Sequence, residues 1–418
     1  MSPESAPPRN GGVARRHLLF GGAAAGLGAV AAAGAQLAAG RAGSAAPDLV
    51  RTGLDEAGAN GSQIVPFFGL HQAGIETPPP AHASFVALDL RDGVGRDRIR
   101  SLLRLLSDDA AALTQGQPAL ADTEAELAVL PARLTVTFGF GPRLVAAVAP
   151  HLAPAWLAPL PAFGIDALQE RWNGGDLLLQ LCADDPLTLA HAQRMLLKDS
   201  RSFAVVRWIQ SGFRRAYGSE QAGTTARNLF GQVDGSANPV PGTAEFDRVV
   251  WGDTEIPAWL EGGTSVVVRR IAMNLDTWDE LDRRGREESV GRTLANGAPL
   301  TGSAEHDEPD FEAVTSLGFP VIPDYAHMRR ARPDNPRQRI LRRSYNYDAA
   351  PEPGGAVSDA GQVFVSYQAD VTAQFVPIQE RLDKLDLLNE WTTPIGSAVF
   401  AVPPGAREGG FVGESLFE

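Results

Sequence analysis

Apolar and polar positions alternate in short runs along most of the chain, with longer helical spacings between them. Behind the break at Pro78-Pro79-Pro80, the run Ala83-Ser84-Phe85-Val86-Ala87-Leu88-Asp89-Leu90 predicts a strand. From Arg96 to Leu113, residues Ile99, Leu102, Leu103, Leu105 and Leu106 recur at helical spacing. Leu134 to Gly141 predicts a second strand that ends in glycines, and Pro142 opens a helical stretch, as proline does at a first helical position. Asp176 to Ala183 predicts a third strand, Asp184-Asp185-Pro186 starts a helix reaching about Lys198, and Val205 to Gln210 predicts a fourth strand.

A second series repeats the alternation. Ser265 to Met273 predicts a strand, and Asn274 to Gly291 a charged helix carrying Leu275, Trp278 and Leu281. Strands are predicted over Ile340 to Tyr347 and Val363 to Tyr367, an amphipathic helix over Phe375 to Glu390, and a last strand over Ser397 to Val402. Helices lying only between strands of one sheet point to a ferredoxin-like α+β layer. Its double appearance points to two similar halves, a statement about pattern, since no sequence repeat is visible.

The first residues read as a targeting segment. Arg15-Arg16-His17-Leu18-Leu19 precedes an Ala/Gly-rich apolar run from Phe20 to about Ala39. This reads as a twin-arginine export signal over residues 1–46, cut among the small residues between Ala31 and Ala46, with a membrane anchor as the competing reading. An extracellular, cell-envelope or periplasmic location follows, with no membrane association after cleavage. Residues 47–64 read as a linker, 65–225 as an N-terminal domain and 226–418 as a C-terminal domain.

The 418 residues are 44% hydrophobic and 21% charged, enough for a large core. A net charge of -13 argues against nucleic acid or an anionic membrane as a partner. Cys182 is the single cysteine, which excludes an intrachain disulfide, a CxxCH haem attachment and a cysteine-built zinc or iron–sulfur site.

Two stretches carry candidate chemistry. Val321 to Tyr347 holds one histidine, His327, among seven arginines and no lysine. Histidine is a common ligand for iron, and arginine grips carboxylates in fixed geometry, so the pair suits a cofactor that is both metallic and acidic, as haem is. The bland alternative is an ordinary histidine beside a solvated basic face. The second stretch, Asn228 to Pro239, brackets Asp234 between Gly231 and Gly235, and glycine permits positive φ and close approach. A solvent-exposed Asp-Gly turn is the alternative, but Leu229-Phe230 ties the loop to apolar surroundings. Those surroundings are expected to push the carboxyl pKa upward.

These residues resemble a known family. Gly231-Gln232-Val233-Asp234-Gly235 is similar to the GxxDG signature of dye-decolourising (DyP-type) haem peroxidases. HQAGIETP (71–78), LTVTFGFGP (134–142), GGDLLLQLCADDP (174–186), VVRRIAMNLDTWD (267–279), GRTLANGAPLTG (291–302), ILRRSYNY (340–347) and LLNEWTTPIGSAVFAVPPG (387–405) resemble its exported bacterial branch, which includes proteins described as deferrochelatase/peroxidases. The likeness covers about 66–405 in the family's order. Gln232-Val233 replaces the usual Phe-Lys, and Ser236 the usual Thr.

The resemblance implies two ferredoxin-like domains and one non-covalent haem b per chain, held mainly by the second domain. It assigns Asp234 as distal acid, His327 as axial iron ligand and Arg342 as distal arginine, with Arg343 the runner-up. Gly235, Ser236 and Ala237, and Arg332, Pro333 and Asp334, match segments that touch haem. Asp386 matches the carboxylate on the proximal imidazole, with Asp383 as alternative. The implied activity is reduction of hydrogen peroxide through a high-valent iron state, with oxidation of dyes, phenols or other one-electron donors. Competing readings are a deferrochelatase, a non-catalytic haem carrier, and a non-haem metal oxidase using His71, His82 or His306. Tyr345, Tyr347, Tyr367 and Trp391 are candidates for surface oxidation or plain packing. A copper protein or an iron-uptake component as partner, and a homo-oligomer, stay open.

Overall fold

The computed structural model describes residues 60–418 except 254, 255, 334, 352, 354 and 357. The expected export signal, residues 47–59 of the expected linker, and Asp334 lie outside the described residues. Residues 60–64, read as linker, are tied to the body: the backbone of Ala132 donates to Gly61 and that of Arg133 to Gln63.

The first half is built from β1 (His82–Leu90), α1 (Arg96–Thr114), β2 (Thr135–Phe140), α2 (Pro142–Val148), β3 (Leu177–Ala183), α3 (Pro186–Ser200) and β4 (Ala204–Phe213). The strands pair antiparallel in the order β2-β3-β1-β4, the ferredoxin-like arrangement. Each helix follows from its sequence. On α1 the stripe Ile99, Leu102, Leu103, Leu106, Ala110 and Leu113 is buried against the sheet. On α3, Pro186 takes the first position and the Asp185 carboxylate accepts from the Thr188 amide at 2.8 Å.

The second half repeats the order with β5 (Thr264–Met273), β6 (Leu341–Arg342), β7 (Tyr345–Ala349), β8 (Asp359–Gln368) and β9 (Thr392–Val402), arranged β9-β5-β8-β7 with β6 also on β8. Single bridges, Phe140 to Ala401 and Phe213 to Asn346, join the two sheets edge to edge. Between them lies a shared core. Ala83, Phe85 and Ala87 of β1 meet Val266 and Val268 of β5, Val363 and Val365 of β8, and Phe400 of β9 there. The alternate residues of β1, Val86, Leu88 and Leu90, pack under α1 and α3. Both faces of these strands are buried, which is why their sequences read as nearly continuous apolar runs.

The strands predicted over Val363 to Tyr367 and Ser397 to Val402 begin earlier, at Asp359 and Thr392, and three further predicted elements are broken. The helix expected over Asn274 to Gly291 is two, α5 (Leu275–Asp279) and α6 (Arg283–Val290). The Asp282 side chain breaks the run by accepting from the Gly285 amide at 2.7 Å, which starts a new helix. The strand expected over Ile340 to Tyr347 is interrupted at Arg343 and Ser344, leaving β6 and β7. The helix expected over Phe375 to Glu390 becomes a wide π turn (Val371–Phe375), α8 (Val376–Leu385) and a 3₁₀ turn (Leu387–Glu390). Asp386 makes that last break: its backbone is extended and its Oδ1 accepts from the Leu388 amide at 3.0 Å.

The breaks position the site. In the first half two helices of 19 and 15 residues cover the outer face of the sheet. In the second half that face carries short helices and loops, which leave a cavity of about 750 Å³. Its floor is the set of strand residues pointing away from the shared core: Arg269, Ile271 and Met273 of β5, Gln362 and Phe364 of β8.

Candidate active site

Asp234 sits at the end of a tight loop closed by an Arg227–Val233 bridge and by its own amide donating to Ala226 O at 2.8 Å. The loop needs glycine on both sides, since Gly231 has φ +80° and Gly235 φ +134°. Arg342 Nη1 donates to Asp234 Oδ1 at 2.7 Å, and Gln362 Nε2 donates to Oδ2 at 2.8 Å. Both carboxylate oxygens are therefore held, while a fifth of the side chain stays open toward the cavity.

The expectation of a raised pKa for Asp234 is overturned. Burial does push the carboxyl up, but Arg342, the Gln362 hydrogen bond, His327 and Arg214 together outweigh it, and the pKa lies below the ordinary value. The apolar neighbours Leu229 and Phe230 were legible in the sequence; the opposing donors come from β6 and β8, more than a hundred residues away.

The strand period separates the two candidate arginines. Arg342 faces the cavity, and Asn238 clamps its backbone by donating to Arg342 O at 2.7 Å and accepting from Arg342 N at 2.9 Å. Arg343 points to the opposite side, is buried, and donates to the carbonyls of Ile75 and Thr77. Gln362 and Asn238 were not singled out in the sequence. Gln362 stands in β8 just ahead of the apolar run Val363-Phe364-Val365, and nothing in the sequence sets it apart.

His327 opens α7 (His327–Ala331) on another wall of the cavity. Its Nδ1 lies 2.6 Å from Asp386 Oδ2, leaving Nε2 as the nitrogen available for coordination. Burial alone would lower the imidazole pKa; Asp386 outweighs it, so the net shift is upward. Asp383 is elsewhere, accepting from the Ile165 amide at 2.9 Å.

Gly235, Ser236, Ala237, Arg332 and Pro333 all line the cavity. Ser236 Oγ is buried with no hydrogen-bond partner in the protein. Arg332 is paired with Glu308, and Arg292 and Arg339 add cations that the sequence reading did not name. The His327 imidazole with its free Nε2, apolar walls of Ile271, Met273, Phe364 and Leu388, and several guanidinium groups at the margin fit a flat metalloporphyrin with acidic side chains.

Of the remaining candidates, all but His306 lie apart from the lining. Tyr345, Tyr347 and Tyr367 are buried between the sheets, and Tyr367 donates to Gln180 at 2.7 Å. Trp391 packs edge-on against Trp278. His71 stacks on Trp251 and bonds Gly262 O at 2.7 Å; His306 lines the cavity. His82 begins β1. Among the described residues, no group of three or more His, Cys, Asp and Glu side chains is placed to hold a metal ion, which leaves a non-haem centre without support.

Residues 72–214 match the family described as Dyp-type peroxidase, N-terminal, and residues 225–407 match Dyp-type peroxidase, C-terminal. The chain belongs to the DyP-type peroxidase family. It is 41% identical over 361 residues to a dye-decolorizing peroxidase of Thermobifida fusca, covering 83% of this chain and 84% of that one. It is 35% identical over 376 residues to a deferrochelatase of Yersinia pestis, covering 85% of each. The crystal structure of a DyP-type peroxidase from Cellulomonas bogoriensis superposes with a TM-score of 0.83 at 57% identity, covering 86% of this chain and 99% of that one. This DyP-type peroxidase is an oxidoreductase that uses hydrogen peroxide and electron-donor substrates, and haem is its cofactor.

Proposed function

We propose that Asp234 and Arg342 are the pair that acts on hydrogen peroxide, and that His327 would hold the haem iron, with Asp386 setting its orientation. Haem, when bound, supplies the iron at which peroxide is reduced with electrons from a donor. The protein's share is proton movement and charge. Asp234, held as a carboxylate, accepts a proton from one peroxide oxygen and delivers it to the other. The Arg342 guanidinium steadies the negative charge that grows as the O–O bond lengthens. Asp386 fixes the His327 tautomer with Nε2 unprotonated and makes that nitrogen more basic. The single observation that carries this reading is the Asp234–Arg342 pair, 2.7 Å apart, on the wall of a cavity that also exposes His327.

Exchange of each arginine separates the two candidates. Arg342→Leu is expected to slow the peroxide-dependent change in the haem absorption band by about 10²- to 10³-fold in stopped flow. Arg343→Leu is expected to keep that rate and lower stability by roughly 1–3 kcal/mol, since it strips donors from buried carbonyls. The opposite pattern would move the distal cation to Arg343.

The pH dependence has a definite sign. Asp234 is held below the usual aspartate value of about 3.9, so it stays charged, and able to accept a proton, down to that pH. Its contribution to stability, present above the unfolded pKa, is lost only as pH falls through the lowered folded value. The rate of the peroxide step is expected to hold through pH 5 and 4 and to fall only as pH drops through that lowered value. A fall that begins near neutrality, in a rate profile measured by pH jump, would remove Asp234 as the base.

Deferrochelatase activity is a second reading, supported by relatives of that name at 34–35% identity. Incubation with haem and a reductant, followed by fluorescence of metal-free porphyrin, tests it; iron release without peroxide turnover would replace the peroxidase reading. Dyes and phenols are the donors proposed, with a copper protein or an iron-uptake component as the candidate partner. A location outside the cytoplasm rests on the paired arginines and apolar run of residues 15–39, and cell fractionation of an Arg15→Lys, Arg16→Lys chain tests it. The domain limits proposed are 65–225 and 226–418.

A further inference from the structure

A polar cleft of about 20 Å³ lies behind Asp234. Asn228, Asp234, Arg342 and Gln362 line both this cleft and the large cavity, so they form the wall between the two. On the far side stand Arg214, Ser344 and Asn346. Strand alternation turns Tyr345 and Tyr347 into the shared core and leaves Asn346 on the opposite face, as the cross-strand partner of Gln362. Asn346 is only 8% exposed; its Nδ2 donates to Arg227 O at 3.0 Å, and its Oδ1 has no partner in the protein. Buried acceptors of this kind are normally satisfied, and a space above about 10–15 Å³ with polar walls admits one water.

We propose that the cleft holds a single water, fixed by Asn346 Oδ1, through which Asp234 exchanges its proton with solvent on the side away from the cavity. This rests on Asp234 being the proton carrier. Reducing one hydrogen peroxide to two waters takes up two electrons, from the donor, and two protons. Haem would occupy the cavity in front of Asp234, and the cleft supplies a route from behind. The proton that Asp234 moves from one peroxide oxygen to the other is returned within that step, so the two protons taken up arrive with the donor's electrons; Asp234 receives each from the cleft water, which regains it from bulk, and only O–H bonds form and break. Three cationic or titratable groups face Asp234: Arg342 and Arg214, and His327 across the cavity. Between deliveries they hold it as a carboxylate.

Two readouts test this, one independent of turnover. A high-resolution crystal structure of the haem-loaded protein is expected to show a water within about 3.2 Å of Asn346 Oδ1; a dry cleft overturns the proposal whatever the variants do. Asn346→Leu removes the acceptor and fills the space. It is expected to slow the donor-dependent recovery of the haem absorption band on the order of tenfold, raise its solvent deuterium isotope effect, and respond to added formate as a substitute proton carrier. Asn346→Thr, which keeps an acceptor, is expected to stay near the parent rate. A Leu variant with the parent rate and isotope effect overturns the proposal while leaving Asp234 in place, provided Asp234→Asn is slow. An Asp234→Asn variant at the parent rate overturns the Asp234 assignment itself.

Discussion

Asp234→Asn is expected to slow the reaction with hydrogen peroxide by about 10²- to 10⁴-fold, the range lost when a positioned general base is removed. Asparagine fills nearly the same volume and can still accept from Arg342 through its one carbonyl oxygen, while its amide nitrogen meets Gln362, whose side-chain amide can turn to present its oxygen. What it lacks is a site for a proton. Stopped-flow absorbance with the haem-loaded protein measures the effect, and an unchanged resting spectrum shows that the iron and its ligand are undisturbed. The substitution also leaves Arg342 without its counter-charge at a half-buried position, which costs stability on its own account. Rate and melting temperature should therefore both fall, but for different reasons. Asp234→Glu tells them apart: it restores the charge while displacing the carboxylate by one methylene, so stability should recover more than the rate. If Asp234→Asn reacts at the parent rate, no proton passes through this carboxylate.

Much of the fold was legible because period and composition agreed. β1, β3 and α1 fall within one or two residues of the spans their apolar spacing predicts. The misses cluster where one side chain overrides a regular pattern. Asp282 and Asp386 each accept a backbone amide and stop a helix that periodicity alone would continue. The second case is informative, because the residue that breaks the predicted helix over Phe375 to Glu390 is the same one that receives His327. Local disorder in the pattern marked the site, and a reading by periodicity smoothed it over. The site itself was half legible. Asp234 and His327 were singled out by their surroundings, a family likeness gave them roles and added Arg342, and strand parity then places Arg342 on the cavity side. Gln362 and Asn346 stayed hidden, since nothing in a run such as Gly361-Gln362-Val363 says which face of a sheet meets a cavity until the sheet is built.

His327→Ala is expected to have the other large effect: haem content after purification should fall severely, and the absorption band of whatever remains should shift. His327 Nε2 is the nitrogen that would hold the iron, and the guanidinium groups at the cavity margin would hold only the acidic side chains. Adding free imidazole should restore part of the spectrum, since it can occupy the space the side chain leaves. Asp386→Asn is the finer probe. Its one oxygen can stay on the His327 Nδ1–H and keep the tautomer, while the Leu388 amide loses its acceptor and the negative charge that makes Nε2 basic is gone. Activity is then expected to drop by about 10- to 100-fold with haem still bound, and the iron should become easier to reduce. Asp383→Asn serves as the matched comparison, because Asp383 serves the Ile165 amide on another wall. Equal effects from the two variants would mean that Asp386 acts by capping its turn. A shift in reduction potential confined to Asp386→Asn would place its action on the imidazole.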